Sequence, residues 1–190
     1  MQSGVAVIYP KGEKCSIATY TSYERVRIGM YIIRSDEEIL TLIRCEKKIQ
    51  KKPPNLKKSN RDIKTRFRVI STEESLEFEV FFAQNARLHD DFSLGLMLDK
   101  YLLYRCNGFH GTTFAGYHVY EHHAQIHSHT LTFEDIINGR SDKPSKIDCL
   151  TNEYFNFISA QLYFLRLCGI NNYQDYFDFS KLNQISIYDL

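Results

Sequence analysis

The sequence predicts an α+β fold: a mainly antiparallel sheet of five or six strands covered by two longer helices. Three observations carry this. Between residues 65 and 130, short runs of β-prone residues are separated by turn signals, and at 76–84 apolar and polar residues alternate with the period of a half-buried strand. Stretches 35–52 and 151–168 instead carry apolar residues at helical spacing. The strands also come as a run between helices, without the strand and helix alternation of a parallel fold. A chain of 190 residues with 43% hydrophobic content can fill one core, so a single domain spanning 1–190 is expected.

Residues 1–34 form a β-rich segment, with a hairpin expected from strands at 5–9 and 17–23 around Pro10-Lys11-Gly12, then a strand at 26–33. Ser35-Asp36-Glu37-Glu38 matches a capping box, in which Ser35 accepts from the Glu38 amide while the Glu38 side chain reaches back. The helix it starts carries Ile39, Leu40, Leu42, Ile43 and Ile49 and is expected to reach residue 52, where Pro53-Pro54 ends it. A basic, exposed loop follows at 53–64. Strands are expected at 65–71 and 76–84, then at 92–98 and 101–106 around the tight turn Asp99-Lys100.

Two further strands, 117–123 and 125–130, are predicted around Ala124, with Val119 and Ile126 as core contacts. A short helix is expected at 132–138 and a loop at 139–146. The strongest helical signal is at 151–168, with Phe155, Ile158, Leu162 and Leu165, and after them Tyr154 and Phe157, on its apolar face and Gly169 as its C-terminal cap. One more short helix is expected near 179–184.

Composition narrows the function classes. No apolar run approaches the roughly eighteen residues of a membrane helix, and no basic stretch followed by a long apolar one opens the chain, so a soluble cytoplasmic protein is expected. Cys15, Cys45, Cys106, Cys149 and Cys168 are odd in number and widely spaced, which predicts reduced thiols acting as small buried apolar groups. Cys106 stands out because it lies beside Arg105 and Asn107. No glycine-rich phosphate loop is present.

A net charge of +1 conceals a segregation. Residues 44–68 hold eleven cations, Arg44, Lys47, Lys48, Lys51, Lys52, Lys57, Lys58, Arg61, Lys64, Arg66 and Arg68, against Glu46 and Asp62. The segment is therefore +9 and the rest of the chain −8. Such a basic pole favours an anionic partner and marks these cations as candidate nucleic-acid contacts. Phe67 is the only ring within the segment, so base stacking inside it is not expected.

Six of seven histidines fall in twenty residues: His110, His118, His122, His123, His127 and His129. On strands, residues two apart share a face, which would group His118, Tyr120 and His122, and likewise Gln125, His127 and His129, on the open side of the sheet. Arg105 or His110 would join them. Two chemistries fit. A neutral and a protonated imidazole would act as base and acid in metal-independent RNA cleavage, with an arginine steadying the phosphorane. Alternatively His127 and His129, with His118 or His122 and a carboxylate such as Glu121, would bind zinc or a similar metal. An exposed histidine face or a subunit contact is the unreactive alternative.

The stretch Asp91-Phe92-Ser93-Leu94-Gly95-Leu96, then Leu102-Leu103-Tyr104-Arg105-Cys106-Asn107-Gly108-Phe109-His110-Gly111, then His127-x-His129, resembles a pattern in small uncharacterised bacterial proteins. Some similar families are toxins of toxin and antitoxin operons, encoded beside a helix-turn-helix antitoxin. The resemblance covers about residues 65–168. It implies priority for Arg105, Asn107, His110, His127 and His129, and RNA as a target. The expectation is a toxin-like ribonuclease without a cofactor, with Arg105, His110, His118, His122, His127 and His129 as catalytic candidates. A non-enzymatic phage-defence or counter-defence protein, docking its basic segment on a nucleic acid or an acidic protein, is the alternative.

Overall fold

The computed structural model describes residues 26–28, 31–58, 61–110, 121–149 and 152–180. The hairpin expected at 5–23, the strand portion 117–120 with His118 and Val119, and residues 181–184 of the last expected helix lie outside them. Where one strand was expected at 26–33, two short ones, β1 (Val26–Ile28) and β2 (Tyr31–Ile33), pair antiparallel with each other.

Helix α1 (Asp36–Arg44) begins as the sequence predicts, with the Glu38 amide donating to Ser35 Oγ at 3.3 Å. The Glu38 carboxylate, however, takes the Arg34 amide and guanidinium. The helix is also shorter than the expected 35–52, ending at Cys45, whose amide donates to the Thr41 carbonyl. Beyond it Lys47 and Ile49 are buried and Lys48 is exposed, the two-residue period of a strand, β3 (Lys47–Ile49). Ile49 thus reaches the core from a strand rather than from a continued helix.

Seven more strands complete an eight-stranded sheet: β4 (Lys57–Lys58), β5 (Asp62–Ser71), β6 (Glu77–Asn85), β7 (Phe92–Leu98), β8 (Tyr101–Asn107), β9 (His127–Thr130) and β10 (Lys146–Cys149). Every pairing among them is antiparallel, in the order β10-β9-β8-β7-β6-β5-β3, with β4 alongside β5. The count exceeds the expected five or six because β3, β4 and β10 form where a helix end and loops were predicted. These segments lack an alternating apolar signal; β3 and β4 are held by backbone pairing to β5, and β10 by pairing to β9. The expected loop 53–64 accordingly contains β4 and the first residues of β5.

The outer side of β3 is covered in turn. The Lys47 amide donates to the Gly169 carbonyl at 2.7 Å and the Asn171 amide to the Lys47 carbonyl at 3.1 Å. Gly169 has φ +65°, and a Cβ there would lie 2.4 Å from the Cys45 carbonyl oxygen, so both conformation and space require glycine.

Helix α2 (Phe133–Ile137) carries a reciprocal capping box between Thr132 and Asp135. The last helix, α3 (Phe157–Leu167), starts at an Asn156 cap rather than at 151. Its buried stripe is Phe157, Ala160, Phe164 and Leu165, so Phe157 and Leu165 face the core as expected, while Phe155 and Ile158 point outward. Phe164 fixes that rotation by packing edge-on against Phe82 and stacking on Tyr104. The 3-10 turn that follows occupies Tyr173–Asp175.

Directly paired residues share a sheet face. Phe67, Val80, Leu96, Tyr104 and Thr130 form one rung of the core face, and Thr65, Phe82, Leu94, Cys106 and Ser128 the next. The opposite face carries Lys64, Ala83, Ser93, Asn107 and His127 in one rung and Arg66, Phe81, Gly95, Arg105 and His129 in the next. Part of the basic segment and two of the histidines therefore lie on a common face, four strands apart.

Candidate functional site: the histidine centre

Strand β9 is short, and it starts at His127 instead of 125. Its alternation puts His127 and His129 on the face away from α3, as the His-x-His spacing predicts. Gln125 lies outside the strand, and Glu121–Ala124 is a 3-10 turn rather than the expected strand, so the predicted shared face of His118, Tyr120 and His122 does not form through His122. The turn instead folds His122 back over β9, bringing its ring centroid to 4.9 Å from His127 and 5.7 Å from His129. His110 arrives from the end of β8, its amide donating to the His123 carbonyl. This end of the face is covered rather than open: His127 and Asn107 are fully buried.

Backbone carbonyls fix the two strand imidazoles. His127 Nδ1–H donates to the Gln125 carbonyl at 2.8 Å, and His129 Nδ1–H to the Pro144 carbonyl at 3.2 Å. Each ring is thereby set as the tautomer whose Nε2 presents a lone pair into the site. His127 Nε2 receives the Asn107 amide and His110 Nε2–H, both at 3.2 Å. Asn107 Oδ1 is buried and has no hydrogen-bond partner among the described residues, an additional acceptor at the same spot.

The groups behind these contacts are themselves anchored. Tyr154 Oη donates to the Asn107 and His127 carbonyls, and burial raises its pKa, which keeps the proton in place. Asp135, buried at the cap of α2, accepts from the Ser145 amide at 2.9 Å and hydroxyl at 3.0 Å, holding the loop that carries Pro144. Ser93 Oγ accepts from Arg105 Nε at 2.7 Å, and no other polar partner of that guanidinium is found among the described residues. Its two Nη groups remain available as a cationic fork of the kind that matches phosphate oxygens.

Burial and mutual repulsion determine the charge state. Desolvation, then the neighbouring imidazoles and Arg105, lowers His110 to about 3. Desolvation lowers His127 to about 4 against the raising effect of its Gln125 bond, and His129 is lowered by the same cause. These three rings are neutral at pH 7.

His122, His127 and His129 each offer one nitrogen, and the three nitrogens lie within 4.8 Å of one another. A tetrahedral zinc with nitrogen ligands at about 2.0–2.1 Å needs them about 3.3 Å apart. The three nitrogens would therefore draw together on binding an ion. The donor set fits zinc or a similar borderline metal, and hydrogen bonding of the distal Nδ1–H to carbonyls is the usual way a protein orients such ligands.

Of the expected catalytic residues, the structure brings Arg105, His110, His122, His127 and His129 together, and His118 lies outside the described residues. His123 joins them, its ring 4.2 Å from His110. Ser93, Tyr154, Asp135 and the carbonyls of Gln125 and Pro144 carry no sequence signal and were not anticipated.

The basic segment behaves differently. Lys47 is a correction: it is fully buried, its Nζ donating to the carbonyls of Ile43, Cys45 and Cys168 at 2.9, 3.0 and 3.1 Å above the Phe78 ring. It joins the C-terminal ends of α1 and α3, where the helix dipoles favour a cation, and cannot meet a phosphate. Arg44, Lys51, Lys52, Lys57, Lys58 and Arg61 are exposed. Lys48, Lys64, Arg66 and Arg68 are also exposed but form ion pairs with Glu46, Asp62, Glu79 and Glu77.

No family model, curated protein or solved structure matches the chain. Among the described residues no helix is long and apolar enough to cross a membrane.

Proposed function

We propose that the protein is a metal-dependent phosphodiester hydrolase acting on RNA, with the ion held by His122, His127 and His129. The reading is carried by the convergence of three imidazole nitrogens, two of them aimed by carbonyl-bound Nδ1–H groups. A bound ion would polarise a phosphoryl oxygen and activate water. Arg105, beside His129 in the β8–β9 register, would hold a second phosphate oxygen.

Metal-independent cleavage by an imidazole acid and base fits less well. That route needs one protonated ring, and burial holds His110 and His127 neutral, at about 3 and 4, so these two would not supply it. The toxin-like setting, with a helix-turn-helix protein as partner and the cytoplasm as compartment, belongs to the same proposal; free thiols at Cys45, Cys106 and Cys168 fit a reducing compartment.

Incubating the protein with mixed RNA tests the assignment. Expected are cleavage abolished by chelator and restored by zinc or manganese, and none from a folded His127→Ala/His129→Ala variant. Chelator-resistant cleavage that this variant loses would replace the metal with acid and base chemistry. RNA bound intact under every condition would make the protein a binder.

A further inference from the structure

We infer that the face carrying the histidine centre is a track for single-stranded nucleic acid, with Phe81 as its stacking platform. Two adjacent rungs connect the basic edge to the histidines. One runs Lys57, Lys64, Ala83 and Ser93 up to the buried Asn107 and His127, and the other Arg66, Phe81, Gly95, Arg105, His129. At the usual strand spacing the part of the first rung that precedes the buried residues, from β4 to β7, covers about 14 Å.

Its middle is lined by small residues, and one ring rises there. Phe81 is half-buried on this face and leans across Gly95, where a Cβ would come within 2.2 Å of the ring. Glycine lets the ring bridge β6 and β7, leaving part of the phenyl in solvent. The Arg66 guanidinium, fixed by Glu79 at 2.8 Å, sits 5.9 Å from the ring centroid, so a cation and an aromatic surface are offered side by side. A base stacked on Phe81 would have its flanking phosphates between Arg66 on one side and Arg105 on the other.

At the far edge, Lys57 stands directly opposite Lys64. Lys64 is held by Asp62 at 2.8 Å, and Lys57 beside it adds a second cation that a phosphate can meet. A duplex would meet the lysines without reaching a single ring set low on a sheet, whereas an unpaired strand presents its bases to it. The chemistry therefore selects a single strand over a duplex or an acidic peptide. The track stands apart from the metal proposal, since nothing in it requires an ion at the histidines.

The test is binding of a labelled single-stranded oligonucleotide, as RNA and as DNA, measured by anisotropy in chelator so that cleavage does not intervene. The single strand is expected to bind more tightly than the same sequence as duplex. Phe81→Leu should weaken it about fivefold or more with an unchanged melting temperature, while Phe81→Tyr keeps the affinity. Lys57→Gln with Lys64→Gln should weaken binding and flatten its salt dependence. Binding of either strand type supports the track, and the stronger one identifies the ligand. Equal affinity of the Leu and Tyr variants, equal binding of duplex, or displacement by polyglutamate as effective as by unlabelled strand would each overturn it. A readout needing no variant is 2-aminopurine in the strand: quenching on binding supports stacking, and unchanged fluorescence contradicts it. Binding is read in chelator and cleavage with metal added, so loss of binding counts against the track, whereas binding without metal-dependent cleavage counts against the metal site alone.

Discussion

The two ends of the sheet treat their cationic and titratable side chains in opposite ways. At the β8–β9 end, imidazoles are withdrawn from water, fixed by carbonyls and kept neutral, with nitrogens converging. At the β3–β5 end, lysines and arginines stay in solvent, and Lys48, Lys64, Arg66 and Arg68 pair there with carboxylates, whereas Lys47 is buried as part of the framework. The difference teaches that density of a residue type in sequence says little about role. What decides it is whether the backbone supplies partners that fix an orientation; at His127 the aimed Nε2 takes the Asn107 amide and His110 Nε2–H, contacts that an ion would displace.

The sharpest contrast within the basic end is between Lys47 and its neighbours. Lys47→Met preserves volume but strands three carbonyls, and should destabilise the protein by about 3 kcal/mol in denaturant unfolding. Nucleic-acid affinity should be unchanged as long as the fold holds. A stable variant with weaker RNA binding would return Lys47 to the basic face.

The histidine end should be acid-sensitive in the metal-free protein. His127 has a folded pKa of about 4 against an ordinary value of 6.5. Between those limits the unfolded chain takes up a proton that the buried ring refuses. Stability is therefore retained above about pH 6.5 and lost as pH falls towards 4, on the order of 3 kcal/mol from this residue. Denaturant titrations at pH 7, 5.5 and 4 measure the slope, and His127→Gln should flatten it. A slope identical in the variant would show that His127 is not the group responsible.

The smallest effect is expected at the exposed ion pairs. Arg66→Gln leaves Glu79 in solvent, and by the usual worth of surface pairs should change stability by less than about 1 kcal/mol. A larger loss would mean that the basic edge is structurally fixed in the way the histidine end is.

Much of this was legible in the sequence, for identifiable reasons. The hairpin of β7 and β8 falls at its predicted place because long apolar runs flank Asp99-Lys100, and Asp99 takes the positive φ (54°) that such a turn needs. His127 and His129 share a face because strand alternation alone places them. The helix ends were misplaced because an isoleucine at 49 satisfies a helical stripe as well as a strand, and because Asn156, a polar residue within an aromatic run, is the true start of α3. His122 was expected on a strand, and the turn that brings it over His127 leaves no pattern in composition. The groups that aim the imidazoles are mostly main-chain carbonyls, which any residue could supply. Phe81 escaped notice as a platform because its relation to Arg66 and Arg105 exists only across strands.

The most direct test of the histidine centre is metal content: zinc titrated calorimetrically into chelator-stripped protein at pH 7, beside His122→Ala and His129→Ala. One ion per chain is expected, with proton release small because the pinned rings are already neutral, and affinity should fall at least about tenfold in each variant. Absence of stoichiometric binding, or binding indifferent to both substitutions, would contradict the central claim that these imidazoles form a metal site.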